Sequence, residues 1–417
     1  MIARLLSVRR LSPEWLSYGR LYIARLAGVV VAAVLTIASA RVLQPEGRGE
    51  FATISAVTVV GAQILNLGLS SSLLVLFSRR PRRIGWHRLN LVYVALAWAA
   101  TLALPGVLST VAVRGWSASW WPFWAAWIPL QLLGLYQGAA LFALQDAKTL
   151  SALELAGRCC ALVLGGVCLL VFASPLRPFL AAVILADGIV AVLGARRLAR
   201  IAPGTPTTIR RAGPFFRAAL VMGLRAHPPL VLLFLVVKSD LLVLRLLRGA
   251  AETGIYSIAS QFVDIALMLP KTVAALSFAS IARAARPAEE LLRILRPTGL
   301  VVGGLALALG LLGHWGIVLL FGESFGGAYA ALLLLLPGFV FMGLQSLLGQ
   351  YFASRGFPLF LTGYWLMGLV VNLALNFLWI PEYGALAAAA SSSVAYALVF
   401  LLMARRFQRD RKAEGAR

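Results

Sequence analysis

The chain has 417 residues, 61% hydrophobic and 13% charged, with a mean hydropathy of +0.88 and a formal net charge of +23. A soluble domain carries about twice that charged fraction, so the composition excludes a string of soluble domains and sets the class as an all-α polytopic membrane protein. The surplus of arginine has the sign that nucleic acid would need, but its placement along the chain excludes that partner.

Residues 1–20 read as a cytoplasmic basic interfacial segment, with Arg4, Arg9, Arg10 and Arg20 interleaved with Leu5, Leu6, Leu11, Trp15 and Leu16. The next apolar run ends in Ala38-Ser39-Ala40, which mimics a signal-peptide cleavage site. The basic region before it is too long for a signal peptide, and we read an uncleaved helix. Twelve apolar runs, this one included, are each long enough to cross a hydrocarbon core roughly 30 Å thick. They fall near 21–42, 51–77, 89–112, 120–143, 149–172, 176–195, 217–237, 255–281, 297–320, 328–352, 358–380 and 384–404. Residues 21–195 thus form an N-terminal six-helix lobe and 217–404 a C-terminal one. Between them, 196–216 is a cytoplasmic linker marked by Pro203, Gly204, Pro206 and Pro214, and 405–417 is a basic cytoplasmic tail.

If both termini and every second connection share one side, that side collects 27 of the lysines and arginines, and the opposite connections hold 6. Such a split is the positive-inside signal, so both termini are expected in the cytoplasm of a bacterial inner membrane. The arginine stripes then lie level with anionic lipid headgroups, which are the expected partner of this charge. Cys159, Cys160 and Cys168 all fall in the fifth span, where small apolar packing is expected rather than a disulfide or a metal site.

The chain echoes itself after about 205 residues: Arg41 matches Arg245, Gly49 matches Gly254, Phe51 matches Tyr256 and Ser55 matches Ser260. Glycine lets the chain reverse within a few residues, and an aromatic at the interface anchors the next helix. Six is even, so the two halves share orientation and form parallel repeats related by an axis along the membrane normal.

Three stretches carry a resemblance to a known family. They are Leu43-Gln-Pro-Glu-Gly-Arg-Gly-Glu-Phe51 with Asn66–Ser72; Ser239-Asp240 with Glu252–Ala259; and Phe321–Phe325 with Ala353–Gly356. In these the chain resembles the polysaccharide flippases of the MOP superfamily, the Wzx-like group that moves polyprenyl-pyrophosphate-linked oligosaccharides. The resemblance implies two six-helix lobes around a central cavity, alternating access, and a cationic cavity for pyrophosphate and sugar. Glu50 departs from the pattern, where an uncharged residue is expected, and puts the contacts of that turn in question.

Charges inside spans are costly and face a cavity or one another. The set is Arg25, Glu154, Arg158, Asp187, Arg225, Lys238, Asp240, Asp264 and Lys271, so five cations face four anions. Arg25 and Arg225 occupy nearly equivalent places in the two repeats. With Lys271 they are the candidate substrate-binding cations, since guanidinium groups hold phosphate oxygens bidentately. At headgroup depth the same two arginines would instead snorkel. Lys238 and Asp240, two apart in span 7, read as an ion pair or a helix-end cap. Asp264 and Lys271, seven apart, share a face of span 8. Lys238, Asp240, Asp264 and Asp187 are the candidate coupling or gating groups. Pro228 and Pro229 are candidate hinges in span 7 and Pro270 in span 8, since each lacks an amide for the helix ladder.

The sequence holds no Walker loop, His-Glu-x-x-His or Gly-x-Ser-x-Gly motif, and neither cofactor, metal nor enzymatic activity is expected. The expected function is a flippase moving polyprenyl-pyrophosphate-linked oligosaccharides to the outer face of the membrane for exopolysaccharide, capsule or O-antigen synthesis. Polymerase and chain-length proteins of the same pathway are possible partners. A cation-coupled multidrug exporter of the same superfamily is the alternative, although it calls for an acidic and aromatic cavity. A membrane glycosyl-polymerase or ligase is a further alternative, disfavoured because every outer connection is short, the longest running from about Arg114 to Trp120.

Overall fold

The computed structural model describes residues 13–72, 94, 98–99, 118–201, 209–356 and 358–415; within these, the side chains of 13–26, 118, 147, 209–216, 218, 219, 225 and 226 are not described. Ten helices make up almost all of the described chain. They are α1 (Pro13–Asn66), α2 (Trp121–Ala143), α3 (Ala147–Val171), α4 (Leu176–Ile201), α5 (Ile209–Arg248), α6 (Ala250–Ala266), α7 (Met268–Arg283), α8 (Pro287–Phe321), α9 (Ala328–Ala353) and α10 (Phe360–Gly415). Among the described residues there is no β-strand, and eight helical stretches are long and apolar enough to cross a membrane. The protein is a multi-pass, all-helical membrane protein. The predicted span at 89–112 lies almost wholly outside the described residues, as do positions 202–208 of the linker.

Local chemistry sets where the helices break. At 54 residues, α1 would run about 80 Å if it were straight, far more than one bilayer crossing. It is two helices joined at Gln44 (φ 56°, ψ 178°), the residue before Pro45. A residue before proline is driven out of the helical region, and proline has no amide to donate. The Gln44 side chain donates to the Arg41 carbonyl at 2.6 Å, taking up an oxygen that the broken ladder leaves free. In α10 the corresponding device is Pro381 with Gly384 (φ 54°), and the helix folds back on itself there. Asn372 Nδ2 lies 3.4 Å from Ser392 Oγ, and Ser391 bonds Asn376 across the same turn. The tail predicted at 405–417 continues α10 to Gly415, and its two acids, Asp410 and Glu414, both pair with Arg355.

The described residues fall into two compact units. One holds those within 1–38, 65–106 and 121–224; the other holds those within 39–64, 107–120 and 225–417. In the first unit, Asp146 caps α3 by accepting from the Thr149 amide at 3.2 Å and hydroxyl at 2.7 Å, and Arg197 of α4 reaches it at 2.8 Å. Burial pushes this carboxyl up, but the hydrogen bonds from Thr149 and Arg197 outweigh it and hold Asp146 below the usual carboxylate range.

In the second unit the repeat-matched turns meet. A Cβ on Gly49 would lie 1.8 Å from the Ala250 carbonyl oxygen, and one on Gly254 would lie 1.8 Å from that of Pro45. Pro45 and Ala250 are themselves matched by the repeat offset, so the contact is reciprocal. Glu50, the unexpected charge, pairs with Arg245 at 2.5 Å. Arg41 donates to the Leu320 and Leu319 carbonyls at 2.8 and 2.6 Å, where the end of α8 leaves oxygens unbonded.

Two outcomes are expected. Gly254→Ala places a methyl group on a backbone oxygen that cannot retreat, and should leave little monodisperse protein by size-exclusion in detergent. Asp146→Ala should cost about 1 kcal/mol of stability at neutral pH through the lost cap. Because the folded carboxyl lies below its unfolded value, its contribution is full above about pH 4 and is lost as pH falls through the folded value. The gap in melting temperature between parent and variant should therefore narrow on acidification.

Candidate transport site

Three elements of the second unit line a half-open cavity of about 180 Å³. The second half of α1 contributes Arg48 and Ser55, seven residues apart and so on one helical face. One face of α6 contributes Ser257, Gln261 and Asp264, and α5 contributes Lys238. Sequence reasoning counted Arg48 among the outer-loop cations. The helix restarts directly after Pro45, so Arg48 falls in its first turn and is buried, at 5% exposure. Its Nε donates to Ser257 Oγ at 3.3 Å and its Nη2 to Gln261 Oε1 at 2.9 Å. Among the described residues no carboxylate pairs with it.

Lys238 and Asp240 were expected to form an ion pair or to cap the helix end. Lys238 pairs instead with Asp264 of α6, at 3.2 Å. Residues two apart on a helix point about 200° away from each other, so Lys238 and Asp240 diverge and each finds a partner on another helix. Lys271 was expected on the same continuous face as Asp264. α6 passes into α7 through Leu267, whose backbone stays helical (φ −64°, ψ −17°) and keeps its bonds to Val263 and Lys271. Pro270 lacks only the amide that would bond the Ala266 carbonyl, and Lys271, in α7, is exposed. Pro270 is in the first turn of α7 and buried.

Asp240 turns away from the cavity into a nest of neutral oxygens and amides, at 2% exposure. It accepts from the Leu241 amide at 2.6 Å, from Ser392 Oγ at 2.7 Å and from the Tyr256 hydroxyl. Ser239 Oγ donates to Asn372 Oδ1 at 2.8 Å, and Asn376 Nδ2 reaches the same oxygen at 2.9 Å. Among the described residues no cation is within ion-pair distance of Asp240. Sequence reasoning missed these neutral partners. Their signal was present as two asparagines four apart and the run Ser391-Ser392-Ser393 in otherwise apolar spans.

Asp187 belongs to the first unit, where Trp127 Nε1 and Gln131 Nε2 both donate to its Oδ2 at 2.7 Å. α5 runs unbroken through Pro228, which is exposed, and Pro229, which is buried. The side chains of Arg25 and Arg225 lie outside the described residues. Among the described residues no group of three His, Cys, Asp or Glu side chains could hold a metal ion.

No family model matches the sequence, and no curated protein matches it. Solved structures do match along nearly its whole length. One is an inward-facing multidrug resistance MATE family transporter of the MOP superfamily: TM-score 0.70, 14% identity, covering 95% of this chain and 99% of that one. Another is the lipid II flippase MurJ in an inward closed conformation: TM-score 0.68, 12% identity, 94% and 90% covered. A third is a MOP superfamily transporter from Pyrococcus furiosus described as having a binding pocket of reverse polarity: TM-score 0.64, 15% identity, 94% and 95% covered. At these identities the likeness establishes the fold, which is that of the MOP transporters.

The Asp240 nest makes a stability prediction. Asp240→Ala strips the acceptor from Tyr256 and Ser392 and should cost about 1–3 kcal/mol. Asp240→Asn keeps an acceptor oxygen and should cost less. Melting temperatures in detergent, followed by intrinsic fluorescence, give the order.

Proposed function

We propose that the protein flips polyprenyl-pyrophosphate-linked oligosaccharides from the cytoplasmic to the outer face of a bacterial inner membrane by alternating access, without covalent chemistry. The observation that carries this reading is the sign of the charge around its buried polar space. Among the described residues Arg48 has only neutral partners, Lys238 faces the single acid Asp264, and Lys271 stands exposed beyond them. A positive surplus suits an anionic cargo and disfavours a cationic drug. The similarity in fold to a lipid II flippase supports the same cargo class.

In this reading Arg25, Arg225 and Lys271 neutralise the diphosphate while the polyprenyl tail stays in lipid. Lys238 and Asp264 act as a gating pair. Asp240 is the strongest coupling candidate, because a buried carboxylate with neutral oxygen partners attracts a proton or a small cation. Asp187, held by Trp127 and Gln131, is the coupling candidate of the first unit. Pro228, Pro229 and Pro270 would relieve the helix ladder during rocking, both termini would be cytoplasmic, and polymerase and chain-length proteins would take over the product. The second reading, a cation-coupled multidrug exporter, draws support from the Asp240 nest and from the likeness to MATE transporters.

The test is a fluorescent polyprenyl-pyrophosphate oligosaccharide in proteoliposomes, beside an Arg25→Ala/Arg225→Ala double variant. Transport by the parent and its loss in a well-folded variant are expected. A parent that leaves this lipid in place and drives efflux of a cationic dye would overturn the flippase reading.

A further inference from the structure

Arg48 marks the cavity of the second unit as something more specific than a cationic surface. A buried guanidinium in a membrane protein is costly without a counter-charge, and this one has none among the described residues. Its Nε and Nη2 hydrogen bonds to Ser257 and Gln261 occupy the side-on edge of the guanidinium. The end-on edge, Nη1 with the second Nη2 hydrogen, makes no hydrogen bond among the described residues. That edge has the fork geometry that a carboxylate takes bidentately.

The remaining wall sets a few hydroxyl and amide groups among the apolar side chains of Phe51, Ala52, Ala56, Val59 and Leu241. Ser55 lines the same space, and its buried Oγ has no hydrogen-bond partner among the described residues. Ser260 adds a hydroxyl and Gln261 its amide N–H groups, while the Ser257 hydroxyl is taken by Arg48 and the Gly254 carbonyl and the Arg48 guanidinium lies over the Phe51 ring at 5.4 Å. The volume of about 180 Å³ is several times the roughly 30 Å³ share of one liquid water, which is the scale of one sugar ring.

Charge counting separates the two anions that the cargo class offers. Lys238 and Asp264 cancel within their pair, so the lining carries one surplus positive charge, from Arg48. A carboxylate carries one negative charge, whereas a diphosphate diester carries two. We propose that this cavity binds one carboxylate-bearing sugar residue of the translocated oligosaccharide, with Arg48 on the carboxylate and Ser55, Ser260 and Gln261 on the hydroxyls. The proposal rests on the flippase reading and sharpens it: the cargo is an acidic oligosaccharide, selected by its sugar apart from its lipid-linked diphosphate.

The full-length protein in nanodiscs tests it, with D-glucuronate, D-glucose and inorganic pyrophosphate as probes in saturation-transfer NMR. Glucuronate should bind and glucose should not. Arg48→Gln should weaken glucuronate binding about tenfold or more, as for a lost charge-assisted hydrogen bond. Ser55→Ala, a mild change that leaves the charge in place, should weaken it measurably and keeps the test decisive if Arg48→Gln misfolds. Equal binding of glucose, stronger binding of pyrophosphate at the same site, or no glucuronate binding by the parent would each overturn the proposal. In proteoliposomes, a uronate-bearing lipid-linked oligosaccharide should move faster than a neutral one, and Arg48→Gln should erase the difference. Equal parent rates would sink the acidic-sugar site while leaving the flippase intact; movement of neither lipid would sink the flippase itself.

Discussion

The hydrocarbon of a bilayer offers no water to a polar group, and nearly every feature of this chain answers that constraint. A lone unsatisfied backbone group there costs several kcal/mol, so the backbone closes its hydrogen bonds within helices. Where the ladder must open, a named substitute is present. Gln44 uses its own side chain on the Arg41 carbonyl, and Arg41 in turn covers the Leu319 and Leu320 oxygens. Glu252 accepts from the Ala385 amide at 2.8 Å beside the Gly384 turn. Side chains obey the same rule, since Asn372, Asn376, Ser391 and Ser392 hydrogen-bond one another between the two arms of α10.

Three intramembrane acids show how differently one carboxylate can be accommodated. Asp264 is partly exposed and pairs with Lys238 at 3.2 Å, so its charge is balanced and hydrated. Asp187 has two neutral N–H donors on one oxygen. Asp240 is the most deeply buried and has three neutral donors. Lys238 pairs with Asp264 alone and diverges from Asp240, so the two acids of this unit are accommodated separately.

Much of this was legible in the sequence, and the limits are physical. Apolar length and the absence of soluble-domain composition are one-dimensional signals, so the all-helical, multi-pass class followed from them. The Gly49 and Gly254 turns were visible as repeats, because a close approach leaves no alternative to glycine. Pairing was not visible. Sequence proximity suggested Lys238 with Asp240, but helical geometry turns residues two apart to opposite sides, and the partner came from another helix. Arg48 was hidden by its place beside a proline-glycine turn, where an arginine reads as loop. Asparagine and serine in apolar spans carry no charge to flag them, and only the fold brings Asn372, Ser392 and Asp240 together.

The repeat turns show where symmetry ends and specialisation begins. At the backbone the contact is reciprocal: Gly49 meets Ala250 as Gly254 meets Pro45, each pair related by the same offset. Reciprocal contact of this kind is what an isologous interface demands. The charges break it. Arg245 pairs with Glu50, while its counterpart Arg41 goes to the carbonyl end of α8, and the position matched to Glu50 holds Ile255. Arg48 has Thr253 as its counterpart, fully buried and bonded to the Gly249 carbonyl at 2.7 Å. A duplicated turn can keep its glycines for packing on both sides, because each is required by the other's backbone. A cation in a membrane interior has no such packing requirement, and Arg48 is the member of its pair that packing alone does not explain.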